Sequence, residues 1–204
     1  MIGVITGDII GSQHTKPDEW LGALKGQLNK IGETPRQWEI FRGDSFQVEI
    51  AEAHEALLWA IRIKAAVKTI KGADVRMSVG LGHKSYAANA ISECNGPAFV
   101  LSGERFELLK KEKQNIMVAS GSQGFDLEMN LLLRLALIVM DNWSSSSAEM
   151  VLLALEHPHH SQAALGSMLN IKQNAVSSRL KRACFNEICQ MIDMYQTKLS
   201  QLLP

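Results

Sequence analysis

Apolar and polar positions change period in a regular order along the chain. Ile2, Val4 and Ile5 form a short extended run ending at Gly7, and the spaced Trp20, Leu21, Leu24 and Leu28 after Pro17 predict a helix closed near Gly32. Trp38 and Ile40, then Phe46, Val48 and Ile50, alternate on either side of Arg42-Gly43-Asp44-Ser45, which predicts a hairpin with Asp44 at its tip. Leu57, Leu58, Ile61 and Ala65 return to helical spacing until Gly72 stops them. Val75, Met77, Val79 and Leu81 alternate with Arg76, Ser78 and Gly80, a strand with one apolar face whose other face the glycines leave open. Gly96-Pro97 opens a helix carrying Ala98, Leu101, Leu108 and Leu109, and Ile116 to Ala119 is a last strand. The first six of these elements read βαββαβ, an α+β class, ferredoxin-like antiparallel-sheet sandwich, which the last helix and strand extend over residues 1–126.

Residues 127–143 read as a further apolar helix that bridges to a second, all-α domain over 144–204. Ser146 stands three residues before Glu149, the spacing of a capping box, and Met150, Val151, Leu152 and Leu155 supply the apolar run behind it. The segment from Ser161 to Leu169, the turn Asn170-Ile171-Lys172 and the segment from Gln173 to Arg182 resemble a helix-turn-helix of the regulator and sigma-factor kind. Ala164, Leu169, Ile171, Val176 and Leu180 fall where two such helices pack. Between Ser161 and Arg182 the charged residues are Lys172, Arg179, Lys181 and Arg182, without one acid, so a locally positive face suits DNA. Gln173, Asn174, Ser177 and Ser178 lie near the start of the second helix, where this motif meets base edges, and Arg179, Lys181 and Arg182 suit phosphates. The plain alternative is a helical hairpin used for dimerisation.

Two aspartates, Asp8 in Val4-Ile5-Thr6-Gly7-Asp8-Ile9-Ile10-Gly11-Ser12 and Asp44 in Phe41-Arg42-Gly43-Asp44-Ser45-Phe46, stand where an apolar strand pattern breaks at glycine. Carboxylates there suit Mg²⁺ or Mn²⁺, which keep waters and phosphates in their remaining positions, although Gly-Asp is also ordinary turn chemistry. Gly43-Asp44-Ser45-Phe46 resembles the metal-binding hairpin of the class III nucleotidyl cyclases, and Asp8-Ile9-Ile10-Gly11 their first metal strand. Arg76 to Gly82 is similar to the strand those enzymes place next, and Gly96-Pro97-Ala98-Phe99 through Glu104-Arg105-Phe106 to the following helix start. The whole chain resembles the bacterial SatD family, in which such a domain precedes a helix-turn-helix.

The resemblance implies a cyclase-like palm, metal held by Asp8, Asp44 and the Ile9 carbonyl, and phosphates cradled by Ile9, Ile10, Gly11 and Ser12, while Lys84 suits either a phosphate or a solvated loop. The expected ligand is a nucleoside triphosphate or cyclic nucleotide. The chain departs from the cyclases at the late-helix asparagine, which falls on Val100 or Leu101, at Arg105, one residue off register, and at Ile40 in the purine-reading position. The leading expectation is therefore a DNA-binding regulator with a metal-dependent nucleotide-sensing domain. The second is an active cyclase or nucleotidyltransferase using Asp8, Asp44 and Arg105 as catalytic residues, and the third a dimerising interaction module without catalysis.

Hydrophobic content of 46% and charged content of 21% supply a core, and zero formal net charge argues against general nucleic-acid or membrane-surface coating. The chain enters its first strand without a basic leader, so no signal peptide is read. The apolar stretch around Leu131 to Met140 contains Arg134 and is too short for a bilayer. Cys94, Cys184 and Cys189 lack metal spacing and fit reduced cytoplasmic thiols. His157, His159 and His160 read as a loop, while His14 and Lys16 suit either a phosphate or a solvated turn. A homodimer follows from the resemblance, since such cyclases share sites across a dimer and helix-turn-helix regulators read paired half-sites.

Overall fold

The computed structural model describes residues 1–202. In chain order it runs β1 (Ile2–Ile10), α1 (Pro17–Ile31), β2 (Trp38–Phe41), β3 (Ser45–Ile50), α2 (Ala56–Lys68), β4 (Asp74–Gly82), α3 (Pro97–Glu112), β5 (Ile116–Ala119), α4 (Gln123–Met140), α5 (Ser145–Glu156), α6 (Gln162–Met168), α7 (Gln173–Arg182) and α8 (Phe185–Leu202). The fold is α+β. The strands form one sheet in the order β2-β3-β1-β4-β5. The first four are antiparallel, but β4 and β5 pair in parallel, so the sheet is mixed and not the purely antiparallel one expected. The parallel step follows from α3, which carries the chain back across the sheet between two neighbouring strands. No helix among the described residues is long and apolar enough to cross a membrane.

The ladder divides the sheet cleanly. Ile5, Val48, Val79 and Trp38 form one row and Phe46, Met77, Ile40 and Ile116 the next, all on the face that α1 and α2 cover. The opposite face carries Asp8, Ser45, Arg76 and Phe41, then Thr6, Gln47, Ser78 and Glu39. The glycines of β4 do not leave that second face open: α3 lies on it at backbone contact. A Cβ on Gly80 would run into the Ala98 carbonyl oxygen and the Ser102 nitrogen, a clash with main chain that no side-chain shift relieves. Side chains of Val4, Ile91, Ala98 and Phe99 form a small second core there.

α2 is buried on nearly every side, with only Leu58, Trp59 and Arg62 partly exposed. It packs on β4 and β1 on one flank and on α5 and α8 on the other. As a result the C-terminal helices are not a separate bead on a linker: Met140, Trp143, Ala148, Val151, Ile188, Ile192, Tyr195 and Leu199 belong to the same core as Leu57, Ile61 and Val79. The bridging helix begins at Gln123, slightly before the expected start, and turns Phe125, Met129, Leu133, Leu137 and Met140 into this core. The buried Tyr195 hydroxyl donates to the Ala53 carbonyl at 2.6 Å, and Trp143 Nε1 donates to the Ala183 carbonyl at 3.1 Å. Ser144, not Ser146, caps α5 by accepting from the Ser147 amide at 3.2 Å, because the helix starts at Ser145.

Glu156 closes α5 and ties three helices together. Its Oε1 accepts from Lys30 Nζ at 2.5 Å, Gln27 Nε2 at 3.0 Å and Arg62 Nη2 at 3.4 Å. Burial alone raises its pKa, but the bonds from Lys30 and Gln27 and the charges of Lys30 and Arg62 outweigh it and hold the carboxyl below the ordinary glutamate range. A depressed folded pKa gives stability that is present above the unfolded value and lost as pH falls through the folded one. Glu156→Gln should therefore lower the urea midpoint at neutral pH, with a deficit that shrinks steadily below about pH 4.3. Equal deficits at all pH values would show that the carboxylate's charge is not what holds these helices.

Candidate functional site

Asp8 lies inside β1 and not at a turn, as the sequence pattern suggested, because the strand runs on to Ile10. It stands opposite Ser45 of β3 and Arg76 of β4. Its carboxylate accepts two bonds from the Arg76 guanidinium, Nε at 2.9 Å and Nη2 at 2.5 Å, in the fork geometry that makes such pairs strong. Asp44 ends the hairpin turn, and its main-chain oxygen accepts from the Ile9 amide at 3.1 Å. Its Oδ2 accepts from the Ser12 hydroxyl at 2.7 Å. Arg42 and Gly43 just before it have φ of 53° and 91°, the left-handed pair that tight hairpins use.

Asp8 from β1 and Asp44 from the turn before β3 thus reach one end of the sheet, linked through the Ile9 amide and the Ser12 hydroxyl. Gly11 has φ 81°, and a Cβ there would collide with the Gly72 carbonyl oxygen, so only glycine lets this loop and the turn before β4 touch. Among the described residues the amides of Gly11 and Ser12 donate to no protein group. Arg42, Lys71, His14 and Lys16 are exposed around the same end, alongside Arg76. One row along, Gln47 Nε2 donates to Thr6 Oγ1 at 3.2 Å, Thr6 Oγ1 bonds Ser102 Oγ at 2.8 Å, and Ser78 Oγ donates to the Ser102 carbonyl at 2.6 Å. This polar row fixes α3 against β1 and β4. No three His, Cys, Asp or Glu side chains converge to hold a metal among the described residues.

Two expected members lie elsewhere. Lys84 follows the far end of β4, where Gly82 pairs with Ile2, about 20 Å along the strand from Asp8, and it is held by Glu49 at 2.6 Å. Arg105 turns toward the start of α4 and pairs with Asp126 at 3.8 Å. Arg76 was missed by the sequence reading, although strand alternation places it on the face of Ser78 and Gly80, which the antiparallel register turns toward Asp8.

On α7, Lys172, Gln173, Asn174, Ser177, Ser178, Lys181 and Arg182 are exposed, while Arg179 is half-buried and paired with Glu149 of α5 at 3.2 Å. Val176 seats the helix on Leu165, Met150 and Ala154, with Leu169, Ile171 and Leu180 around them; Leu165 takes the core position expected of Ala164. Ser161 caps α6 by accepting from the Ala164 amide at 3.2 Å, and Asn170 turns the chain with φ 53°. His157 and His160 lie beyond the end of α5 with ring centroids 4.9 Å apart.

No family model, curated protein or solved structure matches this chain.

The Asp8–Arg76 fork makes its own prediction. In a double-mutant cycle of Asp8→Asn and Arg76→Leu, urea denaturation should return a coupling of about 1 kcal/mol or more. Additive losses would mean that the fork contributes nothing to the fold.

Proposed function

We propose that this protein is a DNA-binding regulator, with the α6-turn-α7 pair as a helix-turn-helix and the sheet as a cyclase-like palm that senses a nucleotide with Mg²⁺ or Mn²⁺. The observation that carries the reading is α7: in a chain of zero net charge, an acid-free helix pair exposes its lysines, its second arginine and its amide side chains together. The sheet end supports the second half of the proposal. Asp8 and the Ile9 carbonyl on β1 and Asp44 in the turn before β3 are oxygen donors at one end of the sheet, a set that fits a hard cation arriving with phosphates, since such an ion takes only one or two protein carboxylates. When bound, the ion would neutralise phosphate charge and orient the nucleotide. The free Gly11 and Ser12 amides and the Arg42 and Lys71 side chains supply the remaining anion contacts, and Arg76 offers its fork to a phosphate in place of Asp8. The direction of Arg105 toward Asp126 favours sensing over catalysis.

A route from one function to the other runs through the start of β4. Asp74, two residues before Arg76, accepts from Lys64 at 2.7 Å and Lys68 at 3.1 Å. Lys64 also pairs at 2.7 Å with Asp141, which follows α4 and leads into α5. Nucleotide that prefers one setting of β4 thereby biases the helices that carry α7.

Fluorescence anisotropy with labelled duplexes across a salt series, with and without nucleoside triphosphate and Mg²⁺, tests the whole reading. Lys181→Ala and Arg182→Ala should weaken binding to every duplex and each flatten the salt slope by about 1. Gln173→Ala or Asn174→Ala should change sequence preference by about 1–3 kcal/mol. Asp8→Asn and Asp44→Asn should remove the nucleotide effect and leave basal DNA binding in place. Indifference to every duplex at low salt would leave the helix pair as a dimerisation element. Cyclic or transferred products in the same mixtures would replace sensing with catalysis.

A further inference from the structure

The most prominent apolar residues on the surface lie in a line on α4. Leu127, Leu131, Leu135 and Ile138 are 66%, 58%, 56% and 66% exposed, and their spacing of four, four and three residues puts them on one flank of the helix, opposite the buried Phe125, Met129, Leu133 and Leu137. The helix is therefore apolar on both sides, one covered by β5 and α8 and one bare. Leu108 of α3, 37% exposed, stands between Arg105 and Glu112, which border the groove beside Leu127 and Leu131. The stripe alone amounts to exposed apolar area on the order of 400 Å², in the range where such patches mark an interface.

We propose that this stripe is the homodimer interface of the protein, with the α4 helices of two copies packed antiparallel across a two-fold axis. Two features of the helix select a second copy as the occupant. Its charged residues are Asp126, Glu128 and Arg134, and each is neutralised within its own chain, by Arg105 at 3.8 Å, by Lys198 and by Glu112 at 3.5 Å. The stripe thus offers no unmet charge to a charged partner and no like-charge repulsion to itself. The spacing is also close to palindromic: an axis near residues 132 and 133 sets Leu131 against Leu135 of the second copy and Leu127 against Ile138, so the same patch serves both sides. Antiparallel packing further sets the two helix dipoles in opposition. The stripe falls short of the roughly 800 Å² per partner of a standard interface, so the dimer is a weak one whose population follows protein concentration.

The pairing does not depend on the nucleotide or DNA reading. Sedimentation velocity of the full chain across a concentration series should show a monomer–dimer equilibrium. Leu131→Lys and Leu135→Glu should each shift it to monomer, at least tenfold in dissociation constant, with far-UV circular dichroism and urea midpoint unchanged because both positions are exposed. An equimolar mixture of the two variants should dimerise again, since the two substituted positions then face each other with opposite charges while the unchanged Leu135 and Leu131 meet on the second side. Should either variant unfold, Leu127→Gln and Ile138→Gln make the same comparison. A wild-type chain that stays monomeric at high micromolar concentration overturns the proposal, as does a dimer that survives these substitutions or a mixture that fails to recover it.

Discussion

The Lys64 ammonium has no exposed surface, and much of this fold is arranged around keeping that charge satisfied. It sits on α2 between Asp74 and Asp141, with Lys68 bonded to Asp74 and to the Asp141 carbonyl, and with Asn115 donating to Asp141 at 3.0 Å. A buried charge of this kind is tolerated only when its partners are in place, and losing one of them costs about 3–5 kcal/mol. The cluster therefore fixes the relative positions of α2, the first residue of β4, the turn before β5 and the end of α4. Asp141, one of its partners, leads directly into Trp143 and the α5 cap, so the cluster also ties α2 to the start of the C-terminal helices.

From that anchor the sheet divides the labour between its faces. The apolar face is sealed by α1 and α2. The polar face is covered by α3 along β1, β4 and β5, since Gly80 admits the α3 backbone, while Phe41, Ser45 and Asp8 stand beyond it. Charges on that face are sorted into pairs, Asp8 with Arg76 at one end and Glu49 with Lys84 at the other. The candidate nucleotide end is thus set apart from the Glu49–Lys84 pair by the length of a strand.

Much of this was legible in the chain itself. Alternation and helical spacing located the strands, the hairpin and the α6-turn-α7 pair closely, because each is amphipathic and bounded by glycine, proline or a serine cap. The misreadings have physical causes. Gly7 looked like the end of β1, yet the strand continues because Asp8 finds Arg76 as a partner across the ladder. The glycines of β4 looked like an open face and are the contact surface of a helix, since absence of a side chain reads the same in either case. Lys84 lay close to the site only in the expectation; register separates it. The parallel β5 pairing and the merger of both helical layers into one core depend on α2 being buried on two sides, which a local pattern does not report. The bare stripe on α4 hid inside a helix that reads as simply apolar.

The account rests on one claim above others: the sheet and the C-terminal helices form a single cooperative body joined through α2 and the Lys64 cluster. Native-state hydrogen exchange measured across low denaturant concentrations tests it directly. Core amides of β4, α2, α5 and α8 should converge on the same opening free energy and the same denaturant slope. A C-terminal set, α5 to α8, that opens at distinctly lower free energy while β4 and α2 stay closed would contradict it and leave no rigid path from Asp8 to α7.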